Sequence, residues 1–325
     1  MSHKQHPIGS GFAPASTADD VLAGIDLTGR NVVVTGGHAG IGLEVTRALT
    51  KAGASVVVGA RNPDGAAEAL RGLFRVEVDK LDLIDPSSID AFAARWLDTG
   101  KSLHILVNNA GASGGPERDA RGYETQFATN HLGHFQLTLA LLPALRAAMG
   151  ARVVNVSSGA HRFGRIRWED PNFTTDFDSL AAYAQSKTAN VLFAVELDRR
   201  YAADGIRGYA VHPGVVAGTK LNSAAGDEAL RRMGLIDEAG LPIVDPIIGK
   251  KTPAQGASTI VFASASPLLD TVSGVYLMDN DIAPLNDEPR ALTDQSIPAD
   301  AASHSIDPHS AKRLWDMSKR LLRRT

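Results

Sequence analysis

The chain has 325 residues, 33 Lys and Arg against 36 Asp and Glu, a net charge of −3 and no cysteine. That balance leaves no electrostatic case for nucleic acid or an anionic membrane as partner. The missing thiols exclude disulfides, thiolate catalysis and cysteine metal sites, and the ten histidines show no HExxH-type spacing, so no metal is expected.

Residues 1–27 are polar and rich in Gly, Ser, Pro and Ala, and read as an arm or short leading helix rather than core. They hold no apolar stretch of the secretory kind. No uninterrupted apolar run in the chain reaches the length of a bilayer span, so the default expectation is a cytoplasmic protein. From Asn31 the texture changes. "NVVVTG" is a short β-branched run ended by glycine, the mark of a buried strand. "GIGLEVTRALTKAG" follows with apolar residues at helical spacing, and "SVVVGA" is the next strand. A helical run over 65–70 leads to "FRVEV", and one over 87–97 leads to "LHILVNNAG". A long helical pattern occupies 123–149. "ARVVNVSS", a helix over 180–203 and "IRGYAVHPG" complete the alternation. Strands alternating with helices imply parallel βαβ units in a doubly wound α/β sheet of the Rossmann type, with helices on both faces. No linker divides residues 28–325, so one cofactor-binding catalytic domain is expected. Two segments, near 159–178 and 220–251, interrupt the alternation and read as substrate-loop insertions.

The first βα turn carries Gly36, Gly40 and Gly42. Such glycines allow a tight exit from the strand, close approach of backbone to a pyrophosphate and close packing of the helix. The helix N-terminus beyond them offers unpaired N–H groups and the positive end of its dipole to phosphates. The second strand ends in Ala60-Arg61, with no carboxylate to hold ribose hydroxyls. Arg61 suits a 2′-phosphate instead, which points to NADP(H), with His38 flanking the same phosphate.

Of the five tyrosines, Tyr183 alone has a lysine at i+4, Lys187. The pair lies on one helix face. Taken alone it is an ordinary surface pair. A free phenol has a pKa of about 10, and a cation one turn away is expected to lower it and make a proton shuttle. Ser158, ending the fifth strand, is placed to hydrogen-bond a substrate oxygen. Asp176 and Asp178 are candidate caps for the Tyr183 helix. The C-terminal "SAKRLWDMSKRLLRR" is amphipathic and reads as a packed terminal helix.

In chain order, Thr35-Gly36-x-x-x-Gly40-x-Gly42, "NNAG", Asn130 in "TNHLGHF", Ser158 in "NVSS", "YAQSK" and "HPG" resemble the short-chain dehydrogenase/reductase family over roughly 27–284. "SSGAHR", "NVLFAVEL" and the long spacing from Ser158 to Tyr183 are similar to its retinol-dehydrogenase-like branch, in particular its bacterial-type members. That branch's membrane-bound members carry apolar anchors that this chain lacks. The resemblance implies catalysis by Asn130, Ser158, Tyr183 and Lys187, with Asn130 holding a relay water and Lys187 the nicotinamide ribose. It implies cofactor contacts from Ile41, Asp82, Leu83, Asn109, Ala110, Gly111, Pro213 and Val216, and pairing of subunits through the Tyr183 helix. Thr219 falls one residue later than the family's threonine, with Gly218 in that place.

The expected activity is an NADP(H)-dependent interconversion of a carbonyl and an alcohol. Phe163, Ile166, Trp168, Leu235 and Ile247 in the insertions suggest an apolar substrate. A cofactor-binding regulator without turnover, and the same fold acting as lyase, epimerase or enone reductase, are the alternatives.

Overall fold

The computed structural model describes residues 4–217, 219 and 226–323. Gly218 and the first residues of the 220–251 insertion therefore lie outside the described residues. The first strand, β1 (Asn31–Thr35), is a run of valines flanked by polar ends, and Val32, Val33 and Val34 are fully buried. Burial on both faces is what a central parallel strand requires. It pairs in register with β2 (Ser55–Ala60) on one side and β4 (Ile105–Asn108) on the other. Among the described residues the sheet has eight strands in the order β3-β2-β1-β4-β5-β6-β7-β8. The others are β3 (Val76–Lys80), β5 (Ala151–Val156), β6 (Ile206–Val211), β7 (Val275–Met278) and β8 (Asp281–Ile282). All pairings are parallel except β7 with β8.

Alternate side chains of each strand feed opposite cores. On one face Val32, Val34, Val56 and Val58 pack with Val45 and Leu49, which belong to the helix Gly40–Lys51, and with Ile260 and Phe262 of the helix Pro253–Ala265. On the other, Val33, Leu106 and Val153 pack with Phe92 and Trp96 of the helix Pro86–Asp98 and with Phe193 and Leu197 of the helix Ser179–Tyr201. The order reverses between β1 and β4, so a crevice opens beyond their carboxyl ends.

Three expectations change. The pattern over 123–149 is not one helix. It breaks into Thr125–Phe127, a π-helical turn Ala128–Gly133, His134–Ala140 and Leu142–Ala147. Its helical spacing is continuous, but the π turn adds a residue and Pro143 cannot continue a hydrogen-bonded helix. The strand expected at "FRVEV" starts only at Val76, because Arg75 has φ +62° and Phe74 is exposed. Nor is the N-terminal arm excluded from the core: Gln5 is buried, as are Ala18, Val21 and Leu22 around the short helix Ala18–Val21.

The C-terminal helix Pro308–Leu322 packs as expected, with Ala311, Leu314, Trp315, Met317 and Leu321 buried. Trp315 reaches the second core, its ring centroid 4.8 Å from that of Phe135. No helix among the described residues is long and apolar enough to cross a membrane.

Candidate active site

The helix Ser179–Tyr201 is the beam of the site. Asp178 caps it, its carboxylate accepting from Ala181 N at 2.7 Å, while Asp176, two residues earlier at φ +52°, makes no cap. One turn in, Tyr183 lies half-buried with its phenol beside the Ser158 hydroxyl, which favours the phenolate. Ser158 comes from the end of β5, so a strand terminus and a helix face bring the two hydroxyls together. Lys187 is buried; its Nζ lies 5.4 Å from the Tyr183 ring centroid and donates to Val156 O at 3.2 Å.

The electrostatics correct one expectation. Burial pushes the Tyr183 phenol up to about 12, with the Ser158 hydrogen bond pulling the other way. Burial also brings Lys187 down to about 8. The lysine is aimed at the end of β5 and lies over the ring, so desolvation outweighs the expected lowering of the phenol by the ammonium.

Asn130 sits in the π turn, a distortion common at functional sites. Its Oδ1 accepts from Ala112 N at 2.7 Å, and its Nδ2 donates to Ala112 O at 3.0 Å and Ser186 Oγ at 2.9 Å. These bonds stitch the loop after β4 to the Tyr183 helix. With its side chain so engaged, a water held by Asn130 would fall to its main-chain oxygen, which already accepts from His134 Nδ1 at 3.0 Å. The neighbourhood of Lys187 and Asn130 is tight: a Cβ on Gly111 would lie 3.6 Å from Lys187 Nζ and from Asn130 Oδ1.

The glycine turn forms a cradle. Gly36 and Gly40 have φ +64° and +53°, the left-handed region where glycine is unstrained. The helix they open has no side-chain cap, so its first N–H groups are available to an anion. Gly42 is needed for a reason other than helix–sheet packing: a Cβ there would strike Asn109 Nδ2 and Gly36 O, both at 2.5 Å. Thr219 Cγ2 lies 3.5 Å from the Cβ position of Gly40, across the mouth of the turn. Val216 and Pro213 are buried where Gly256 admits them, since a Cβ on Gly256 would lie 2.8 Å from Val216 Cγ2 and 3.4 Å from Ile41 Cγ1.

Asn109 and Ala110 donate their main-chain N–H groups to Thr35 Oγ1 at 2.9 and 3.0 Å, and Asn109 Nδ2 donates to Thr35 O. Thr35 Oγ1 also lies 2.9 Å from His134 Nε2. Thr35 and His134 thus order the crevice, although neither stands out as a site residue in the sequence; the signal available was their place inside the two quoted motifs. Gly111 follows in the same loop, and His38 is half-buried in the glycine turn. Arg61 is exposed just past β2, and Lys80, ending β3, donates to its carbonyl. Asp82 accepts from Ile84 N at 3.2 Å, and Leu83 is buried against Gly133. The uncapped helix, the left-handed glycines and the cationic strand end fit a dinucleotide phosphate.

The insertion over 159–178 departs from a free substrate wall. Gln185 ties it to the Tyr183 helix through Arg167 N at 2.8 Å and Pro171 O at 2.7 Å, and Thr188 bonds Gly164 O at 2.8 Å. Ile166 and Trp168 pack with Leu192 and Leu314, and Leu235 packs with Leu230 and Ile236. These three side chains are committed to protein contacts, whereas Phe163 and Ile247 are exposed. The groove of about 1520 Å³ beside the insertion is lined by residues such as Arg162, Phe163, Arg290 and His304, and not by Ser158, Tyr183 or Lys187. Arg162 holds its far bank, donating to Asn286 O and Asp300 O.

A parallel sheet with a glycine cradle at its switch point and Ser158, Tyr183, Lys187 and Asn130 gathered at its carboxyl end defines a nucleotide-binding α/β oxidoreductase. The chain belongs to the short chain dehydrogenase family, whose pattern it matches over residues 30–229, and it is an oxidoreductase acting on CH–OH groups. It is 45% identical to a probable oxidoreductase of Streptomyces lividans, over 90% of this chain and 97% of that one. It is 38% identical to retinol dehydrogenase 12 of Homo sapiens, over 92% of this chain and 88% of the relative. A crystal structure of a Mycobacterium paratuberculosis protein superposes with a TM-score of 0.70 at 31% identity, covering 95% of this chain and 98% of that one.

Proposed function

We propose that the chain is a cytoplasmic, NADP(H)-dependent oxidoreductase interconverting a ketone or aldehyde and an alcohol, with Tyr183 as general acid and base. The observation that carries the reading is the convergence of the Tyr183 phenol and the Ser158 hydroxyl beside buried Lys187, whose Nζ lies 5.4 Å from the Tyr183 ring, with Ser186 linking Asn130 to the Tyr183 carbonyl. The continuous sheet, with the C-terminal helix returning to the Tyr183 helix, supports one catalytic domain over 28–325. A bound nicotinamide would supply or accept the hydride. Gly36, Gly40, Ile41 and Gly42 would receive its pyrophosphate, Arg61 and His38 its 2′-phosphate, and Asp82 and Leu83 its adenine. Asn109, Ala110, Gly111, Pro213 and Val216 would line the remainder.

Ser158 hydrogen-bonds the substrate oxygen and orients it on Tyr183. Because burial keeps the phenol protonated at neutral pH, Tyr183 donates its proton as negative charge grows on that oxygen. In the reverse direction it accepts the alcohol proton. Lys187, the cation beneath the ring, stabilises the phenolate then formed. The likeness to retinol dehydrogenase 12 supports an apolar alcohol or aldehyde.

Tyr183→Phe tests the reading. NADPH binding, followed by fluorescence, should stay within about twofold, while NADPH consumption with a panel of aldehydes and ketones should fall about 10²–10⁴-fold. Retained turnover would mean that the proton comes from elsewhere. A wild-type protein that binds NADPH and turns over no member of the panel would be a regulator, and reduction confined to enones would place it in another reaction class.

A further inference from the structure

The histidines of "GAHR" and "HPG" have no part in the chemistry above, yet both lie against Ser158. Ser158 is fully extended, with φ −159° and ψ 157°. The peptide that follows it is held at both ends. His161 Nδ1 lies 2.7 Å from Ser158 O, and Gly159 N donates to His212 Nδ1 at 3.1 Å. These are the C=O and the N–H of one peptide group, each met by a different imidazole.

The contacts decide the tautomers. A carbonyl only accepts, so His161 carries its proton on Nδ1 and its Nε2 takes the N–H of Ala302 at 3.4 Å. An amide N–H only donates, so His212 Nδ1 is bare and the proton sits on Nε2. That Nε2 is buried and has no partner among the described residues. An orphaned buried donor is unfavourable, and an apolar side chain at 212 would avoid it. What His212 provides in return is the Nδ1 acceptor.

The peptide needs such support. Residue 159 has no side chain, since a Cβ there would lie 2.7 Å from Pro298 O, and glycine alone leaves its φ free. The imidazoles are themselves fixed. His161 packs on Tyr276 with ring centroids 4.5 Å apart and planes tilted by 58°, and its carbonyl accepts from Thr188 Oγ1 at 3.1 Å and His304 Nε2 at 2.9 Å. Burial brings both rings down to about 3, so each is neutral and its tautomer persists.

We infer that His161 and His212 are positioning residues that clamp the Ser158–Gly159 peptide between them and thereby aim the Ser158 hydroxyl at the Tyr183 phenol. The inference rests on the role given to Ser158 above. Asparagine places an amide atom near the Nδ1 position of histidine, and glutamine near Nε2. His212→Asn therefore keeps the clamp and His212→Gln removes it, with similar polarity and bulk; the same pair applies at 161.

The full-length variants are compared by exchange of the Gly159 amide, by NADPH binding and by kcat and KM on the carbonyl panel. His212→Gln should speed Gly159 exchange at least about tenfold and lower kcat about ten- to a hundredfold, with the KM for NADPH within about twofold. His212→Asn should recover both to within about threefold of wild type. His161→Gln and His161→Asn should divide the same way in kcat. Gln variants equal to the Asn variants, or Gly159 exchange unchanged in His212→Gln, would overturn the clamp. A Ser158→Ala variant that keeps its kcat would instead overturn the role of Ser158, while amide exchange still judges the clamp by itself.

Discussion

On the proposed reading, cofactor choice turns on Arg61. It stands exposed at the carboxyl end of β2 beside Lys80, and no carboxylate occupies the strand end. A charge-assisted bond to a phosphate contributes about 1.5–3 kcal/mol when well formed, and exposure to solvent reduces that. Arg61→Ala should weaken NADPH about tenfold and NADH less than twofold, read by fluorescence titration at fixed ionic strength. Equal losses for the two cofactors would remove Arg61 as the phosphate ligand. The proposed catalytic group shows the reverse relation between sequence and physics. The spacing of Tyr183 and Lys187 was legible because four residues are one helical turn. The direction of the Tyr183 pKa was not, because it depends on how much water the fold removes around the phenol. The sequence carries no measure of that.

At the scale of elements, legibility follows the range of the interactions. β1 and the helix after it are announced by a valine run, a glycine turn and a 3.6-residue period, all within about twenty residues. The π turn at Ala128–Gly133 leaves no such mark, since it obeys helical spacing until the extra residue is counted. The N-terminal arm is the clearest case. Gln5 Nε2 donates to Tyr276 O at 2.6 Å and Ala283 O at 2.7 Å, and Gln5 Oε1 accepts from Tyr276 N at 2.9 Å, partners some 270 residues away in sequence. Nearby, Asp281 accepts from Ile8, Gly9 and Ser10 N–H. The arm thus seals the edge of the sheet at β7 and β8, a place where unpaired backbone would otherwise invite association. Gln5→Leu leaves a buried N–H and C=O unmatched, at about 1–3 kcal/mol each. Urea unfolding should show a loss of about 2–5 kcal/mol at unchanged m-value. A loss below about 0.5 kcal/mol would show that the arm merely rests on the edge.

For the molecule as a whole, the buried histidines set the response to acid. His131, His161 and His212 are brought down to about 3 and His134 to about 4, each chiefly by burial. Neighbouring cations add to the effect: Lys187 at His134, Lys251 at His212 and Arg162 at His161. In the unfolded chain all four return to about 6.5. Below that pH the unfolded state binds protons that the native state refuses. The stability these groups contribute is fully present above about 6.5 and is lost as pH falls towards 3–4. Each group costs about 2 kcal/mol by pH 5, so four remove about 8 kcal/mol, comparable with the whole stability of many domains. The aspartates with lowered pKa, such as Asp19 beside Lys51 and Arg47, add their loss only below about 4. The acid transition should therefore begin one to two pH units above the carboxylate range. Urea midpoints measured from pH 7.5 to 4.5 should be flat above about 7 and then fall, the unfolding free energy dropping by about 5 kcal/mol per pH unit around pH 5. A midpoint that holds until pH 4 would show that the folded protein admits protons to these rings. Such protons would break the His212 acceptor bond to Gly159 and the neutral His134 bridge between Thr35 and Asn130, so activity would then fail as pH falls while the midpoint held.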